Sequence, residues 1–218
     1  MIEFVKNSIL AKILYYFRSI FSSNKFSNSS NYWEGRYKSD KTSGAGSYGK
    51  NAKFKSKVIN NFVLEKKINT VLELGSGDGN QLSLANYPLY VGLDVSQTII
   101  NKCLDKFTAD KNKFFYNLSK FEKVMEDYHF DLSLSLDVIY HLVEDDVFDL
   151  HMRQLFYSSQ YVIIFSTNFN DRFYLKQHVR NRKFTEWIDE NILNYRFLKK
   201  INNENKLSKV DFYIYEKI

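Results

Sequence analysis

The sequence predicts an α/β fold, a mainly parallel β-sheet with helices on both faces. Short apolar, β-branched segments alternate along the chain with amphipathic segments of helical period, and this alternation is typical of repeated strand–helix units. A glycine-rich turn directly follows the first apolar segment, as in α/β proteins that bind ligands beyond the carboxyl ends of their strands. The 218 residues allow one such domain and an appendage.

Each predicted strand and helix rests on its own local pattern. Strands are predicted where apolar, β-branched or aromatic residues cluster, at 70–74, 90–93, 114–116, 130–136, 161–166 and 212–215. Helices are predicted where apolar residues recur every three or four positions, at 52–63, from 96 through 103, from 144 through 156 and from 185 through 192. Ser96 is a typical N-cap residue, and Glu144, Asp145 and Asp146 put negative charge where a helix N-terminus favours it.

The composition is that of a packed domain. Hydrophobic residues make up 44% of the chain and aromatic residues 17%, which excludes wholesale disorder. There are 31 Lys and Arg against 25 Asp and Glu, a formal net charge of +6. This mild, scattered excess fits an anionic partner but does not favour a nucleic-acid binder. The single cysteine, Cys103, excludes an intramolecular disulfide and indicates a cytosolic protein.

Residues 1–22 precede the predicted domain and carry apolar side chains at near-helical spacing, interrupted by charges. They lack the run of about 18 uncharged apolar residues of a transmembrane helix, and no cleavage site marks a signal peptide. Two interpretations are open, an extra helix packed on the domain or a basic amphipathic helix on a membrane surface. The Ser- and Asn-rich residues 22–31 are expected to form a linker, so the predicted division is 1–30 and 31–218.

The strongest functional signal is the segment Val71–Gly79, V-L-E-L-G-S-G-D-G. An apolar strand ends in Gly75, Gly77 and Gly79, which let the backbone turn tightly and touch a ligand. The dinucleotide fingerprint G-x-G-x-x-G fails, because position 80 is not glycine. Asp78 lies inside the loop, where its charge would repel a phosphate but suits a cationic ligand.

The second predicted strand ends in Asp94, about 20 residues after the glycine loop. A carboxylate there can accept hydrogen bonds from both hydroxyls of a ribose. Together these features predict an adenosine ligand with a positive charge, and S-adenosylmethionine fits because it joins adenosine to an ammonium and a sulfonium group.

The two motifs resemble motifs I and II of class I S-adenosylmethionine-dependent methyltransferases. Further segments resemble one bacterial subgroup associated with capsule and surface-polysaccharide biosynthesis, namely Y-W-E-G-R-Y, S-G-A-G-S-Y-G, L-D-V-I-Y-H-L, H-V-R-N-R and D-F-Y-I-Y-E-K. The resemblance covers residues 31–218. It implies a Rossmann-like sheet of seven strands in the order 3-2-1-4-5-7-6, with strand seven antiparallel, and S-adenosylmethionine as the cofactor.

The resemblance also assigns site residues by position. It implies that Glu73, on the first strand, bonds loop amides or the ammonium group of the cofactor. It also implies that Trp33 and Tyr37 cover the cofactor and that Asn117 lies at the adenine edge. It puts catalytic or substrate-orienting groups after the fourth strand, where the sequence has Asp137, Tyr140 and His141. A histidine, with an unperturbed pKa near 6.5, can take the proton of a sugar hydroxyl. The alternative interpretations are a Trp33 in the core, an Asn117 in a surface turn and a His141 hydrogen-bonded at a strand–helix junction.

Acceptor binding is predicted for the segment His178–Arg182, H-V-R-N-R, which should lie over the site. The guanidinium groups of Arg180 and Arg182 suit a phosphate or carboxylate, and the imidazole of His178 can join them. The alternative interpretation is a solvated basic loop. Tyr48, in the glycine-rich segment, is a further candidate for acceptor binding.

The sequence thus predicts a methyltransferase that acts on an oxygen or nitrogen of an anionic small molecule or saccharide. The implied acceptor groups are sugar, phosphate or phosphoramidate, and the expected location is the cytoplasm or the inner face of the membrane. No metal is expected, because the four histidines lack metal-ligand spacing. Two alternatives stay open. One is an RNA methyltransferase, which would want a continuous basic surface, and the other is a non-catalytic scaffold of the same fold.

Overall fold

A computed structural model describes residues 26–171 and 176–218 of the chain. The predicted helix of residues 1–22, with both interpretations of it, lies outside the described residues. Within the described ranges, no helix is long and apolar enough to cross a membrane.

The described residues form a seven-stranded β-sheet with helices on both faces. The strands are β1 (Thr70–Leu74), β2 (Leu89–Asp94), β3 (Lys113–Asn117), β4 (Leu132–Leu136), β5 (Tyr161–Thr167), β6 (Tyr195–Ile201) and β7 (Val210–Lys217). The helices are α1 (Ser29–Lys38), α2 (Gly49–Lys66), α3 (Gln97–Lys106), α4 (Phe121–Asp127), α5 (Asp145–Leu155) and α6 (Phe184–Asn191).

The strand order is β3-β2-β1-β4-β5-β7-β6. The strands β1 to β5 pair in parallel, whereas β7 runs antiparallel to both of its neighbours. The predicted fold class and strand order are therefore confirmed. Because β1, β2 and β4 are parallel and adjacent, their carboxyl ends meet at one edge of the sheet, where ligands bind in such folds.

Two apolar layers hold the sheet between the helices. On one face, Leu72 of β1 packs in a cluster with Met152 of α5. On the other face, Val71 packs in a cluster with Ile59 of α2. Successive strand residues point to opposite faces, so a sheet covered on both sides needs continuous apolar strands, and this explains the runs that predicted them.

The predicted strands and helices correspond to β1–β5, β7, α2, α3, α5 and α6. The sequence analysis missed β6, whose side chains are mostly exposed, because an edge strand with Arg196, Lys199 and Lys200 carries no apolar run. It also missed α1 and α4. The predicted linker is wrong for residues 29–31, which begin α1 after the N-cap residue Asn28. Asn and Ser favour N-caps as well as loops, so composition alone did not separate the two.

Candidate active site

The glycine loop after β1 turns sharply against the end of β2. The backbone N–H groups of Gly75 and Ser76 donate to the carbonyl oxygen of Leu93, at 2.7 and 3.0 Å. Gly75 has a φ of +84°, and a Cβ atom there would lie 2.5 Å from Cγ2 of Val138. Neither the backbone conformation nor the space admits a side chain, so this position requires glycine.

Asp94 lies buried at the end of β2 and connects the glycine loop to α3. Its Oδ2 accepts a hydrogen bond from the backbone N–H of Gly77 at 3.0 Å, and its Oδ1 accepts one from Ser96 at 2.9 Å. Burial raises the pKa of this carboxyl to about 6, against the opposing effect of those backbone bonds. A carboxylate has about four lone-pair sites, so Asp94 retains acceptor capacity for a ligand's hydroxyls.

A cavity of about 520 Å³ lies at the carboxyl ends of β1 and β2; we call it the glycine crevice. Its lining includes Glu73, Gly75, Ser76, Gly77 and Asp94. The volume falls within the roughly 300–1,000 Å³ that is typical of small-molecule sites. Gly79 does not line the crevice, and its Cβ atom would instead lie 2.5 Å from the ring of Phe107, so the third glycine serves packing against the end of α3.

Three buried polar atoms lining the crevice have no hydrogen-bond partner among the described residues. They are Oγ of Ser76, Oε1 of Gln81 and Oε1 of Gln154. Leaving such an atom unsatisfied costs about 1–3 kcal/mol.

Glu73 is buried on β1 and lines the glycine crevice. Its Oε2 accepts a hydrogen bond from the hydroxyl of Tyr90 at 2.7 Å. Burial raises the pKa of Glu73 to about 7, because the hydrogen bond and the charge of Lys55 offset only part of the desolvation. A cationic ligand would favour the ionised form of this carboxyl.

Helix α1 covers the glycine crevice and is fastened at both sides. At its start, the backbone N–H and the hydroxyl of Ser29 donate to the carboxylate of Glu144 at 2.8 and 2.5 Å. Further along, the carboxylate of Glu34 accepts from the hydroxyls of Ser96 and Thr98 at 2.5 and 2.7 Å. Burial opposes ionisation of Glu34, but these hydrogen bonds outweigh it and lower its pKa to about 2. The helix therefore bridges the starts of α3 and α5.

Both residues predicted to cover the cofactor lie in this helix and line the crevice. The rings of Trp33 and Tyr37 are 5.6 Å apart. Tyr37 is buried and shares a hydrogen bond with the hydroxyl of Ser43 at 3.0 Å, which joins α1 to the glycine-rich segment at 43–49. Trp33 also contacts His141 edge-on, with a ring distance of 4.9 Å.

A buried ion pair lies at the end of β4. Nζ of Lys55, on α2, lies 2.7 Å from Oδ2 of Asp137, and Oδ1 of Asp137 accepts from the hydroxyl of Tyr140 at 2.9 Å. The side chain of Lys55 is fully buried and also lies 5.5 Å from the ring centre of Phe165. Asp137 itself adopts a φ of +61°. The sequence analysis missed Lys55, although its spacing from Ala52 and Ile59 puts it on the buried face of α2.

His141 follows the same strand and has a defined tautomer. Its Nδ1 lies 3.0 Å from the carbonyl oxygen of His178, and because a carbonyl only accepts, Nδ1 carries the hydrogen and Nε2 keeps its lone pair. Burial lowers the pKa of His141 to about 4. The imidazole is therefore neutral at physiological pH, with one nitrogen ready to accept a hydrogen bond.

A second cavity of about 520 Å³ adjoins the first; we call it the outer chamber. The two cavities share five lining residues, Trp33, Ser43, Ser47, Asp137 and His141. The rest of the chamber lining includes Tyr32, Arg36, Tyr140, Lys176 and His178. Ligands bound in the two cavities would meet at this shared wall, which carries two of the three predicted catalytic residues.

Arg180 and Arg182 line neither cavity, and this corrects the expectation that they converge on an acceptor. Nη1 of Arg180 donates to the carbonyl oxygen of Val143 at 3.0 Å and pairs with Asp145 at 2.8 Å. Nη2 of Arg182 donates to the same carbonyl at 2.8 Å, and its guanidinium lies 4.7 Å from the ring centre of Phe148. Both side chains fasten the turn between β4 and α5, because the carbonyl groups and the acidic first turn there attract cations.

Asp78, Tyr48 and Asn117 also lie outside the linings of both cavities. Oδ2 of Asp78 accepts from the backbone N–H of Ser43 at 2.7 Å and from the hydroxyl of Tyr48 at 2.9 Å. Nδ2 of Asn117 donates to the carbonyl oxygen of Val95 at 3.1 Å. These three side chains connect loops to one another, so they shape the site without facing into it.

Solved structures similar to this chain include several methyltransferases. The O-methyltransferase from Bacillus cereus, in complex with SAH, matches with a TM-score of 0.60 and 11% identity over 94% of this chain and 97% of that chain. An S-adenosylmethionine-dependent methyltransferase from Clostridium acetobutylicum matches with 0.59 and 14% over 74% and 90%. The methyltransferase domain of bacterial CtHen1 matches with 0.57 and 18% over 74% and 97%. No family model and no curated protein matches the sequence.

The described part of the chain therefore has the fold of S-adenosylmethionine-dependent methyltransferases. At 11–18% identity, these neighbours establish the fold. No cluster of His, Cys, Asp and Glu in the described ranges could hold a metal ion.

Proposed function

We propose that this protein transfers a methyl group from S-adenosylmethionine to an oxygen or nitrogen of an anionic small molecule or saccharide. One observation carries the proposal. The glycine crevice and the outer chamber are separate cavities that share a wall, which contains Asp137 and His141. A transferase needs two adjoining sites of this kind, one for the group donor and one for the acceptor.

The residues of the glycine crevice fit S-adenosylmethionine. Asp94 retains acceptor capacity for the two ribose hydroxyls, and Gly75 and Gly77 bring the loop backbone to the wall of the crevice. Glu73 suits the ammonium group, since a nearby cation stabilises its ionised form. When bound, S-adenosylmethionine supplies a methyl group that its sulfonium makes reactive.

The work left to the protein is alignment, exclusion of water and movement of one proton. The shared wall of Trp33, Asp137 and His141 would orient an acceptor toward the crevice. With the cofactor held there, its methyl group would pass to the acceptor atom. When the acceptor is a hydroxyl, its proton passes to Nε2 of His141, which is neutral above about pH 4. The ammonium group of Lys55 balances the negative charge of Asp137 in this wall.

The biological setting we propose is capsule or surface-polysaccharide biosynthesis, with the enzyme in the cytoplasm or at the inner face of the membrane. The support is the resemblance of residues 31–218 to that bacterial subgroup. Membrane contact through residues 1–22 stays a prediction.

Cofactor binding and turnover test the proposal together. Calorimetry with S-adenosylmethionine and SAH should give micromolar affinity, about −8 kcal/mol. Asp94→Ala should weaken it by roughly 1.5–3 kcal/mol, because two hydrogen bonds to the ribose are lost, whereas the control Asp105→Ala, on the exposed side of α3, should not. Incubation with cofactor labelled in its methyl group and a panel of sugar phosphates, nucleotide sugars and RNA should label one acceptor class.

Absence of cofactor binding would refute the proposal. Transfer to RNA alone would replace the acceptor with the RNA alternative, and tight binding with no transfer to any acceptor would favour a non-catalytic scaffold.

A further inference from the structure

We infer that the outer chamber contains an anion subsite formed by Arg36, Lys176 and His178, which holds a phosphate or carboxylate group of the acceptor. The inference rests on the proposed function and adds to it the position and recognition of the acceptor's charged group. The residues that bind the acceptor's charged group are then ones that line the chamber, and not Arg180 and Arg182.

The first argument is the charge of the chamber. Arg36 and Lys176 both line it, and neither takes part in a salt bridge among the described residues. The carboxylates that line it are engaged, because Asp137 pairs with Lys55 and Asp171 accepts from the backbone and side-chain amides of Asn181. With Asp137 compensated by Lys55, the two cations outnumber the remaining carboxylate, Asp171, so the lining has a net positive charge that attracts an anion from outside the chain.

The second argument is that Arg36 is held in place before any ligand arrives. Its Nε donates to the carbonyl oxygen of Thr42 at 2.7 Å, and its guanidinium carbon lies 5.7 Å from the ring centre of Trp33. Its Nη2 lies beside Gly44, 3.8 Å from where a Cβ atom would be, and Gly44 itself lines the chamber. A guanidinium fixed in this way binds a phosphate or carboxylate with little further loss of side-chain entropy.

The third argument links the cations to the reacting wall. The ring of His178 stacks on Tyr32 at 4.3 Å, and its backbone carbonyl accepts from Nδ1 of His141. Burial lowers the pKa of His178, and the charges of Lys176 and Arg36 lower it further, so both cations act on this ring. The rings of His178 and His141 are 5.9 Å apart.

That spacing limits the acceptor. An anionic group beside His178 and a reacting oxygen or nitrogen beside His141 are separated by only a few covalent bonds. The acceptor class is therefore a compact molecule that carries both groups close together, such as a phosphorylated or carboxylated sugar unit.

Fluorescence of Trp33 provides the test, because Arg36 lies over its ring. The parent protein is Trp187→Phe, which leaves Trp33 as the single tryptophan, saturated with SAH. Titration with inorganic phosphate, and separately with acetate, should give a saturable change with at least one of them. Arg36→Gln should weaken that response at least tenfold, and Lys176→Gln should weaken it as well. Lys38→Gln, on the same helix but outside both cavity linings, should leave it unchanged.

Equal anion responses in the parent and in Arg36→Gln, or no saturable response in the parent, would overturn the inference. Calorimetry of SAH on every variant separates the two proposals. Loss of SAH binding in the parent itself would refute the proposed function, whereas intact SAH binding without an anion response would refute only the anion subsite.

Discussion

The glycine crevice and the outer chamber differ in how the chain builds them. The floor of the crevice comes from two adjacent strand ends, with Glu73 in β1, Gly75 to Gly77 directly after it and Asp94 at the end of β2. The chamber gathers residues from α1, the segment at 43–47, the turn after β4 and the segment at 176–181. A site made by adjacent parallel strands can be predicted from local motifs, whereas one made by distant loops depends on how those loops pack.

The two cavities also differ in charge. The crevice holds the carboxyls of Glu73 and Asp94, whose pKa values burial raises to about 7 and about 6. The chamber holds the cations Arg36 and Lys176. These charges suit the crevice to a cationic ligand and the anion subsite that we infer in the chamber to an anionic one.

The largest expected effect tests the shared wall. His141→Ala should lower kcat by about 10²–10⁴-fold for a hydroxyl acceptor, because it removes the group that takes the proton, while SAH affinity stays nearly unchanged. Steady-state kinetics and calorimetry measure the two quantities, and His129→Ala, at an exposed histidine, is the control. Near-normal turnover would mean that the wall aligns the reactants without taking a proton.

The buried ion pair of the wall is the next target. Lys55→Met should lower the free energy of unfolding by about 3–5 kcal/mol, because it leaves the carboxylate of Asp137 without its cation. Denaturant titration measures the loss, and Lys57→Met, at an exposed lysine of the same helix, should have little effect. Adding Asp137→Asn to Lys55→Met should recover part of the stability. A single variant as stable as the parent would contradict the assigned role of Lys55.

The variant Arg182→Ala tests whether Arg182 stabilises the fold or binds the acceptor. Arg182→Ala should destabilise the protein by about 1–3 kcal/mol, because the carbonyl group of Leu142 loses its donor and that of Val143 keeps only Arg180. Thermal or denaturant unfolding measures this, and the anion response of Trp33 should be kept. Unchanged stability with loss of acceptor binding would instead restore the role that the H-V-R-N-R segment suggested.

The smallest expected effect is a pH dependence of the crevice. Glu73 has a pKa of about 7, and a cationic ligand binds its ionised form better. S-adenosylmethionine affinity should therefore rise about tenfold from about pH 6 to about pH 8. Ionisation of Asp94, with a pKa of about 6, adds to the lower part of that range. Calorimetry across the range, repeated with Glu73→Gln, should show most of the dependence removed. An S-adenosylmethionine affinity that does not change with pH in the unmodified protein would mean that Glu73 does not bind the ligand's ammonium group.

Sequence patterns alone determined the α/β class, most of the strands and the glycine loop with Asp94. In each case the cause is local, since strands buried on both faces need apolar runs and the turn at Gly75 needs a positive φ. Strand order came from the family resemblance, which the topology confirms. The edge strand β6 and helix α1 escaped prediction because their side chains are mostly polar or exposed.

Tertiary structure alone decided which polar side chains face the cavities. Arg180 and Arg182 have the right chemistry for an anionic acceptor, but the carbonyl groups of a neighbouring turn bind them first. The sequence does not set Lys55 apart from the other lysines of helix α2. The structure buries Lys55 against Asp137. The physical reason is that a charged group binds the partner that the folded chain brings within hydrogen-bond distance. The distances between segments that are remote in sequence are set by packing.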